Sequence, residues 1–174
     1  MRLRPYQKKD FEVICKWIKE DRAHALWCAN LTPYPLEKKS FEELLAQGED
    51  RFGDSAFVAS TEEGCVVGFL CFSVNLSTNE GMFKFVMVDD SRRNKGYGSE
   101  MLKLAVKYAF EIAKADAVQL NVFAENPGAK KCYEKVGFQE RAFTEGAFPY
   151  KEEVWGRCNM VMMRSDRYAE SIEE

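Results

Sequence analysis

Long hydrophobic runs are missing from this 174-residue sequence. No apolar stretch approaches the roughly 18–20 residues of a transmembrane helix, so we predict neither a membrane span nor a membrane partner. The opening segment "MRLRPYQKKDF" also lacks the apolar stretch of a signal peptide, which favours a cytoplasmic location. Repeats, low-complexity blocks and linkers are absent as well. We therefore expect a single domain over residues 1–164, followed by a polar tail over 165–174.

Metal ligands and paired cysteines are scarce. The chain has one histidine, His24, and its six cysteines include no C-x-x-C pair, so no metal site is expected. The cysteines lie mostly in apolar surroundings, which favours reduced and mostly buried thiols. A cysteine nucleophile has only His24 as a possible partner, and nothing in the sequence brings the two together.

A surplus of basic residues is lacking too. The formal net charge is −3 and the sequence pI is about 5.5, which argues against a nucleic-acid partner. A local basic site can still bind a small anion. The composition, 46% hydrophobic and 30% charged, is that of a globular domain long enough to bury a full core.

The N-terminal third predicts one strand and two helices. Residues 1–6 alternate in polarity as a short strand does, and apolar residues at helical spacing over 11–18 indicate a first helix. Aromatic residues and prolines over 27–35 indicate a loop. Ser40 and Glu43 have the spacing of a capping box, which predicts the start of a second helix there.

Strands and helices alternate from residue 55 onward, and Asn126-Pro127 marks a helix start that Gly137 ends. The strand at 82–88, the helix that follows and the strand at 117–123 form a crossover, so these two strands should be parallel. The predicted fold is α/β (α+β): one mixed sheet with helices on both faces. The remaining predicted strands are 55–60, 65–74, 138–143 and 154–163, with helices from about 98 to 114 and from 127 to 136.

The segment "RRNKGYGSEML" (92–102) places basic residues and two glycines where a helix begins. Helix N-terminal N–H groups lack internal partners and the helix dipole favours negative charge there, so a phosphate can bind. Gly96 and Gly98 let the backbone approach such an anion, and Arg93 and Lys95 can add hydrogen bonds. A solvated basic turn is the alternative.

Two nucleotide-binding motifs are absent. No G-x-x-x-x-G-K-[ST] string occurs, and Met101 stands where a dinucleotide fingerprint needs a third glycine after Gly98. ATP and NAD are therefore not expected.

Two segments together resemble the signatures of the GNAT N-acetyltransferase superfamily. "RNKGYG" (93–98) resembles its acyl-CoA-binding motif [RQ]-x-x-G-x-[GA], and "NPGAKKCYEKVGF" (126–138) is similar to its second signature, N-x-x-A-x-x-x-Y-x-x-x-G-F. One departure is Asp90, where the family often has a proline, and this should alter only the turn. The resemblance implies a mostly antiparallel GNAT-like sheet with a central parallel strand pair that splays apart.

The resemblance also implies that acetyl-CoA is the co-substrate and that its pantetheine arm inserts between the splayed strands. The strand backbone would pair with the pantetheine amides, the turn would hold the pyrophosphate, and Asn126 would hydrogen-bond the cofactor. A capping role alone is the alternative for Asn126. The implied cofactor-binding residues are Val86, Met87, Val88, Arg93, Asn94, Lys95, Gly96, Tyr97, Gly98, Ser99 and Asn126.

Acetyl transfer to an amine explains why a tyrosine would be needed. An amine with a pKa of about 10.4 must lose a proton before it attacks the thioester, and a phenol can protonate the leaving thiolate. The resemblance assigns that acid role to Tyr133, for which a core aromatic is the alternative. Direct attack in a ternary complex is expected. Glu80 is the nearest upstream carboxylate and is a candidate general base, or else a solvated hairpin residue.

The acceptor is expected between the loop joining the first two helices and the region joining the last two strands. Aromatics beside carboxylates there can hold a cationic amine, on a small molecule or a protein N-terminus, or can simply pack. A homodimer through exposed sheet edges is possible. The alternatives to an enzyme are a non-catalytic acyl-CoA-binding or sensing domain and a nucleic-acid-binding module. The candidate acceptor residues are Trp27, Tyr34 and Tyr150, with Phe148, Glu152 and Glu153 nearby.

Overall fold

One sheet of seven strands organises the chain. The computed structural model describes residues 1–165, so all but the first residue of the predicted polar tail lies outside the described range. The strand order is β1-β2-β3-β4-β5-β7-β6, and β4 and β5 are parallel while the other neighbours are antiparallel. This confirms the predicted sheet. The strands are β1 (Arg2–Pro5), β2 (Ser55–Ser60), β3 (Val66–Asn75), β4 (Glu80–Val88), β5 (Ala117–Phe123), β6 (Gln139–Tyr150) and β7 (Glu153–Met163).

Helices cover both faces of the sheet, as predicted. Within the described range they are α1 (Phe11–Ile14), α2 (Asp21–Cys28), α3 (Lys38–Phe52), α4 (Tyr97–Lys107) and α5 (Pro127–Val136). Short 3-10 turns flank α1, and α4 continues into a π-helical turn, Tyr108–Ile112. None of the helices in residues 1–165 is long and apolar enough to cross a bilayer.

Two hydrophobic clusters fill the space between the helices and the sheet. The first packs α4 and α5 on one face through fully buried side chains such as Leu102, Phe110 and Leu120. The second packs α1 and α3 on the other face around Ile14 and Phe41. Burial on both faces explains the continuous apolar run of β3, because each buried side chain of this size stabilises the fold by about 1.5–3 kcal/mol.

Three local predictions were wrong. The segment predicted as a loop from residue 27 begins inside α2, whose eight residues gave too short a periodic signal. The Ser40–Glu43 capping box does not form, because α3 already begins at Lys38 and the Ser40 hydroxyl donates to the Glu37 carbonyl at 3.0 Å. The strand predicted at 138–143 runs on to Tyr150 as β6.

The longer β6 changes the position of two candidate acceptor residues. Phe148 and Tyr150 belong to the strand itself, and only residues 151–152 join β6 to β7. Cross-strand pairing extends a strand wherever the partner continues, so the turn-like composition of "TEGAFPY" did not end it.

Candidate active site

The parallel strands β4 and β5 pair only where they begin. Glu80–Met82 lies beside Ala117–Gln119, and beyond these residues the two strands separate. β4 continues to Val88 and β5 to Phe123, so their C-terminal halves form an open V. The backbone N–H and C=O groups along the inner edges of this V are available to an extended ligand.

A β-bulge in β4 accompanies the separation. Lys84 pairs with Cys71 and Met87 with Phe69, so two residues of β4, Phe85 and Val86, face a single residue of β3. Phe85 has a φ of 52°, in the left-handed region that non-glycine residues rarely adopt.

The bulge also reverses which side chains face each side of the sheet. Phe83 packs in the cluster under α4 and α5, whereas Phe85 packs in the cluster under α1 and α3. After the bulge, Val86 and Val88 face α4 and α5 again, while Met87 faces the other side. A regular strand would have kept Phe83, Phe85 and Met87 on one face.

The basic glycine turn lies at the end of β4 and leads into α4. Gly96 is the N-cap with a φ of 86°, and a Cβ added there would have nothing within 4 Å. The first intrahelical bond runs from the Glu100 N–H to the Gly96 carbonyl at 3.0 Å. The N–H groups of residues 97–99 therefore precede the helical ladder, and the helix dipole favours an anion at this open end. The structure thus has the open helix N-terminus on which the predicted anion site depends.

The basic side chains of the turn differ in their partners. Arg92 donates to the Tyr97 hydroxyl at 3.1 Å and lies over its ring, so it stabilises the turn itself. The Lys95 ammonium donates to the Ser91 carbonyl at 3.1 Å. Arg93 is exposed, and within residues 1–165 its side chain has no hydrogen-bond or ion-pair partner. Arg93 is thus the guanidinium most available to a phosphate.

The second signature forms the start and the buried face of α5. The Asn126 side chain accepts a hydrogen bond from the Ala129 N–H at 3.2 Å, which shows its capping role, and Gly137 ends the helix with a φ of 115°. Tyr133 is 7% exposed and packs edge-on against Phe138. Burial raises the pKa of Tyr133 above its ordinary value.

Glu80 lies at the closed end of the V. Its carboxylate accepts hydrogen bonds from Gln119 at 2.8 Å and from Arg141 at 2.9 Å. Val88 lies eight positions further along β4, a distance of roughly 25 Å. The structure therefore does not bring the candidate base to the glycine turn, and the ion pair with Arg141 gives it a structural partner.

The region predicted to bind the acceptor lies between α2 and the tip of the β6–β7 hairpin. Tyr34 and Tyr150 both line one cavity of about 740 Å³ there. Lys151 forms an ion pair with Asp21 at 2.6 Å, and Arg22 forms one with Glu153, so two ion pairs join the hairpin to α2.

Trp27 is not among the residues that line this cavity. Its indole N–H instead donates to the Phe85 carbonyl at 2.9 Å. A larger cavity of about 1590 Å³ lies at the β1 edge of the sheet, but it contains none of the predicted site residues.

Comparison with known proteins decides the family. The sequence model of the acetyltransferase (GNAT) family matches residues 11–138. The chain belongs to the GNAT family. It is 29% identical to an L-amino acid N-acetyltransferase from Escherichia coli over 143 residues, which cover 79% of this chain and 82% of that protein. It is 26% identical to a spermidine N(1)-acetyltransferase from Vibrio cholerae over 117 residues, 64% of this chain and 67% of the relative.

Solved structures of similar fold include spermidine N-acetyltransferases. The spermidine N-acetyltransferase from Vibrio cholerae in complex with CoA and spermine superposes with a TM-score of 0.78 at 21% identity, covering 94% of this chain and 95% of that one. An engineered chimera of that enzyme gives a TM-score of 0.79 at 21% identity, with 96% and 97% covered. The GNAT fold is thus shown over nearly the whole chain.

The site fits the acetyl-CoA that a GNAT enzyme uses. The space around Gly96 at the helix N-terminus is open, with no atom within 4 Å of an added Cβ, and the inner edges of the V leave backbone groups unpaired between β4 and β5. No group of three or more His, Cys, Asp or Glu side chains suited to a metal occurs in the described part of the chain.

Two features of the structure were not predicted from the sequence. His24 and Cys28 do meet, with the Cys28 sulfur 3.5 Å from the His24 Nε2, because α2 places residues four apart on one face. Burial raises the pKa of the Cys28 thiol and lowers that of His24, so the pair is not an activated nucleophile. The i, i+4 spacing would have revealed the contact had α2 been predicted.

The second missed feature is Glu125, between the open end of β5 and the cap of α5. Its Oε2 is buried and has no hydrogen-bond partner in residues 1–165. The pKa of Arg22 is raised chiefly by its hydrogen bond to Glu153, with a smaller contribution from the charge of Glu125. The sequence shows that Glu125 directly precedes the second signature, but it does not show that one of its carboxylate oxygens is buried.

Proposed function

We propose that the chain transfers the acetyl group of acetyl-CoA to a primary amine of a small molecule, which attacks the thioester directly. The observation that carries the proposal is the open V between β4 and β5, which links the anion-binding turn before α4 to the helix of Tyr133. Holding both substrates in one site replaces a bimolecular encounter with a local one, so no covalent acyl-enzyme is needed.

The N-terminus of α4 would hold the pyrophosphate. Residues 93–99 supply backbone N–H groups and the Arg93 and Lys95 charges, and Gly96 leaves room for close approach. The backbone groups of residues 86–88 that face the V, on the side away from β3, would bind the pantetheine amides as an added strand, and Asn126 would contribute a side-chain hydrogen bond. When bound, acetyl-CoA supplies the activated thioester.

Tyr133 would act as the general acid. A thiol of pKa about 8.5 leaves more readily when its sulfur is protonated, and a phenol of ordinary pKa about 10 can donate that proton. Burial raises the pKa of Tyr133 further, which keeps the phenol protonated at neutral pH. Glu80 receives no role here, because it lies at the closed end of the V.

The acceptor is proposed to be a cationic amine of the polyamine kind. Arg22 and Lys151 are both engaged in ion pairs, so neither offers a free charge to an amino-acid carboxylate. Glu125 has a buried oxygen without a partner, and a second ammonium group would provide one. The similarity to a spermidine N(1)-acetyltransferase supports this class, and an amino-acid acceptor is the second candidate because of the other relative.

The test combines calorimetry with a thiol-release assay. We expect acetyl-CoA to bind in the micromolar range and CoA to be released when spermidine is added. Parallel reactions with a neutral amino acid and with a short peptide would rank the acceptor classes. Binding without release by any amine would favour the non-catalytic acyl-CoA-binding domain, and absence of binding would overturn the proposal.

A further inference from the structure

Trp27 makes a hydrogen bond from a helix to the interior of the sheet. It lies near the C-terminal end of α2, and its indole Nε1–H donates to the backbone carbonyl of Phe85, with 2.9 Å between the nitrogen and the oxygen. Phe85 is the bulge residue of β4. An indole N–H is a donor only, so its single hydrogen bond is directed at one carbonyl.

The conformation of Phe85 needs stabilisation from outside the strand. Its φ of 52° is unfavourable for an aromatic residue, because Cβ approaches the following carbonyl oxygen. A bulge also disrupts the regular ladder with the neighbouring strand. Trp27 supplies a donor at this point, and its ring lies 5.7 Å from the Phe85 ring.

The Trp27 ring is itself held in place. It stacks on the ring of Phe41 at 6.2 Å with an interplanar angle of 26°, and Phe41 is fully buried on α3. His24 also packs edge-on against the indole, with 6.1 Å between the ring centroids. With aromatic neighbours around it, the indole cannot turn without disturbing the cluster, so the position of its N–H is well defined.

We propose that Trp27 is a positioning residue that holds the bulge of β4 and thereby aligns residues 86–88 for acetyl-CoA, and that it does not contact the acceptor. The bulge sets which face of the sheet Val86 and Val88 occupy. Residues 86–88 directly follow Phe85, whose carbonyl accepts the Trp27 hydrogen bond. This inference rests on the proposed function. It reassigns Trp27, which the sequence placed among the acceptor-binding residues.

The test is Trp27→Phe, which keeps an aromatic ring in the cluster and removes only the N–H donor. The control is Trp17→Phe: Trp17 is buried in the same cluster, and no hydrogen bond joins it to β4 in the described chain. We expect Trp27→Phe to raise the KM for acetyl-CoA about tenfold, the usual effect of one lost buried hydrogen bond. The KM for the amine should change by less than about twofold, and Trp17→Phe should leave both constants unchanged.

Hydrogen exchange gives a readout that needs no ligand. In Trp27→Phe, the Asp89 amide, which donates to the Val67 carbonyl at 3.0 Å, and the Met87 amide two residues before it should exchange about tenfold faster, while the amides of Glu80–Met82 keep their protection. Faster exchange together with the raised KM supports the positioning role. Unchanged exchange, or a rise confined to the KM for the amine, overturns it. If the wild type bound no acetyl-CoA, the proposed function would fail, and the exchange comparison would still decide whether Trp27 holds the bulge.

Discussion

The hydroxyl of Ser99 lies 3.5 Å from the sulfur of Cys132. Ser99 is in the first turn of α4, and Cys132 precedes Tyr133 on α5, so this contact joins the two signature segments. Gly98 makes the approach possible, because a Cβ there would lie 3.3 Å from the same sulfur. The glycine turn before α4 and Tyr133, the proposed acid, are therefore held at a fixed separation by helix packing.

Gly96→Ala should weaken acetyl-CoA binding about tenfold or more, because the added Cβ occupies the space proposed for a phosphate. Gly64→Ala is the matched control: its φ of 87° is nearly that of Gly96 at 86°, and both positions are open. Both variants should lose about 1–2 kcal/mol of stability. Calorimetry should show weaker acetyl-CoA binding in Gly96→Ala than in Gly64→Ala. Equal affinities of the two variants would contradict a phosphate site at Gly96.

Tyr133→Phe should lower kcat by about a hundredfold or more, since a general acid typically contributes that much. The Kd for acetyl-CoA should stay within about twofold of wild type, because the phenol acts on the leaving sulfur. Tyr108→Phe is a suitable control, as that ring packs against Phe57 and Phe72 beside α4. A kcat close to wild type in Tyr133→Phe would remove the acid role.

The pH dependence of kcat/KM should reflect the amine. Its free-base fraction grows as the pH rises toward about 10.4, so the rate should climb through pH 9. Burial raises the pKa of Tyr133, so the phenol stays protonated over this range and should cause no alkaline decline. A decline below pH 9 that disappears in Tyr133→Phe would show that the phenol ionises earlier than its burial implies.

Glu125→Gln should raise the KM for spermidine about 10- to 100-fold. The carboxylate proposed to bind the second ammonium group of spermidine becomes a neutral amide of the same shape. The acetyl-CoA KM should not change. Glu152→Gln removes a nearby exposed carboxylate in the hairpin turn and should have little effect. Steady-state kinetics would compare spermidine with an amine that has no second ammonium group. An equal rise in KM for both amines would argue against a contact between Glu125 and that ammonium.

Asp10→Asn should destabilise the fold by about 1–3 kcal/mol at pH 7. The buried carboxylate accepts two bonds from Arg4 and one from the Gln7 N–H, all at 2.8 Å. Burial alone would raise the pKa of Asp10, but these bonds outweigh it and leave that pKa below its ordinary value.

The contribution of Asp10 is therefore complete above about pH 4, the ordinary value, and is lost as the pH falls through the folded pKa. Urea unfolding at pH 7 and pH 3 should show the difference between Asp10→Asn and wild type narrowing at the lower pH. The exposed Asp50→Asn is the control and should change the free energy of unfolding at pH 7 by less than about 0.5 kcal/mol.

Several elements followed directly from local sequence. Asn126-Pro127 and Gly137 set the ends of α5 because capping depends on a few neighbouring residues, and β5 was predicted with its observed bounds. The parallel pairing of β4 and β5 followed from the crossover between them. The two glycine-containing signatures indicated the family because their spacing spans one helix start and one helix.

The bulge at Phe85, the meeting of His24 with Cys28 and the partners of Glu80 and Trp27 were decided by tertiary structure. "MFKFVMV" has the apolar composition of a regular strand, and nothing within it shows that Phe85 adopts a positive φ. The indole that donates to the Phe85 carbonyl belongs to Trp27, 58 residues away in sequence. Glu80 met Arg141 only because β4, β5, β7 and β6 lie side by side. Sequence by itself determined most of the elements and the family, since periodicity, caps and signatures are local. The open V, the bulge of β4 and the Trp27–Phe85 hydrogen bond required contacts between distant segments, which only the packed chain brings together.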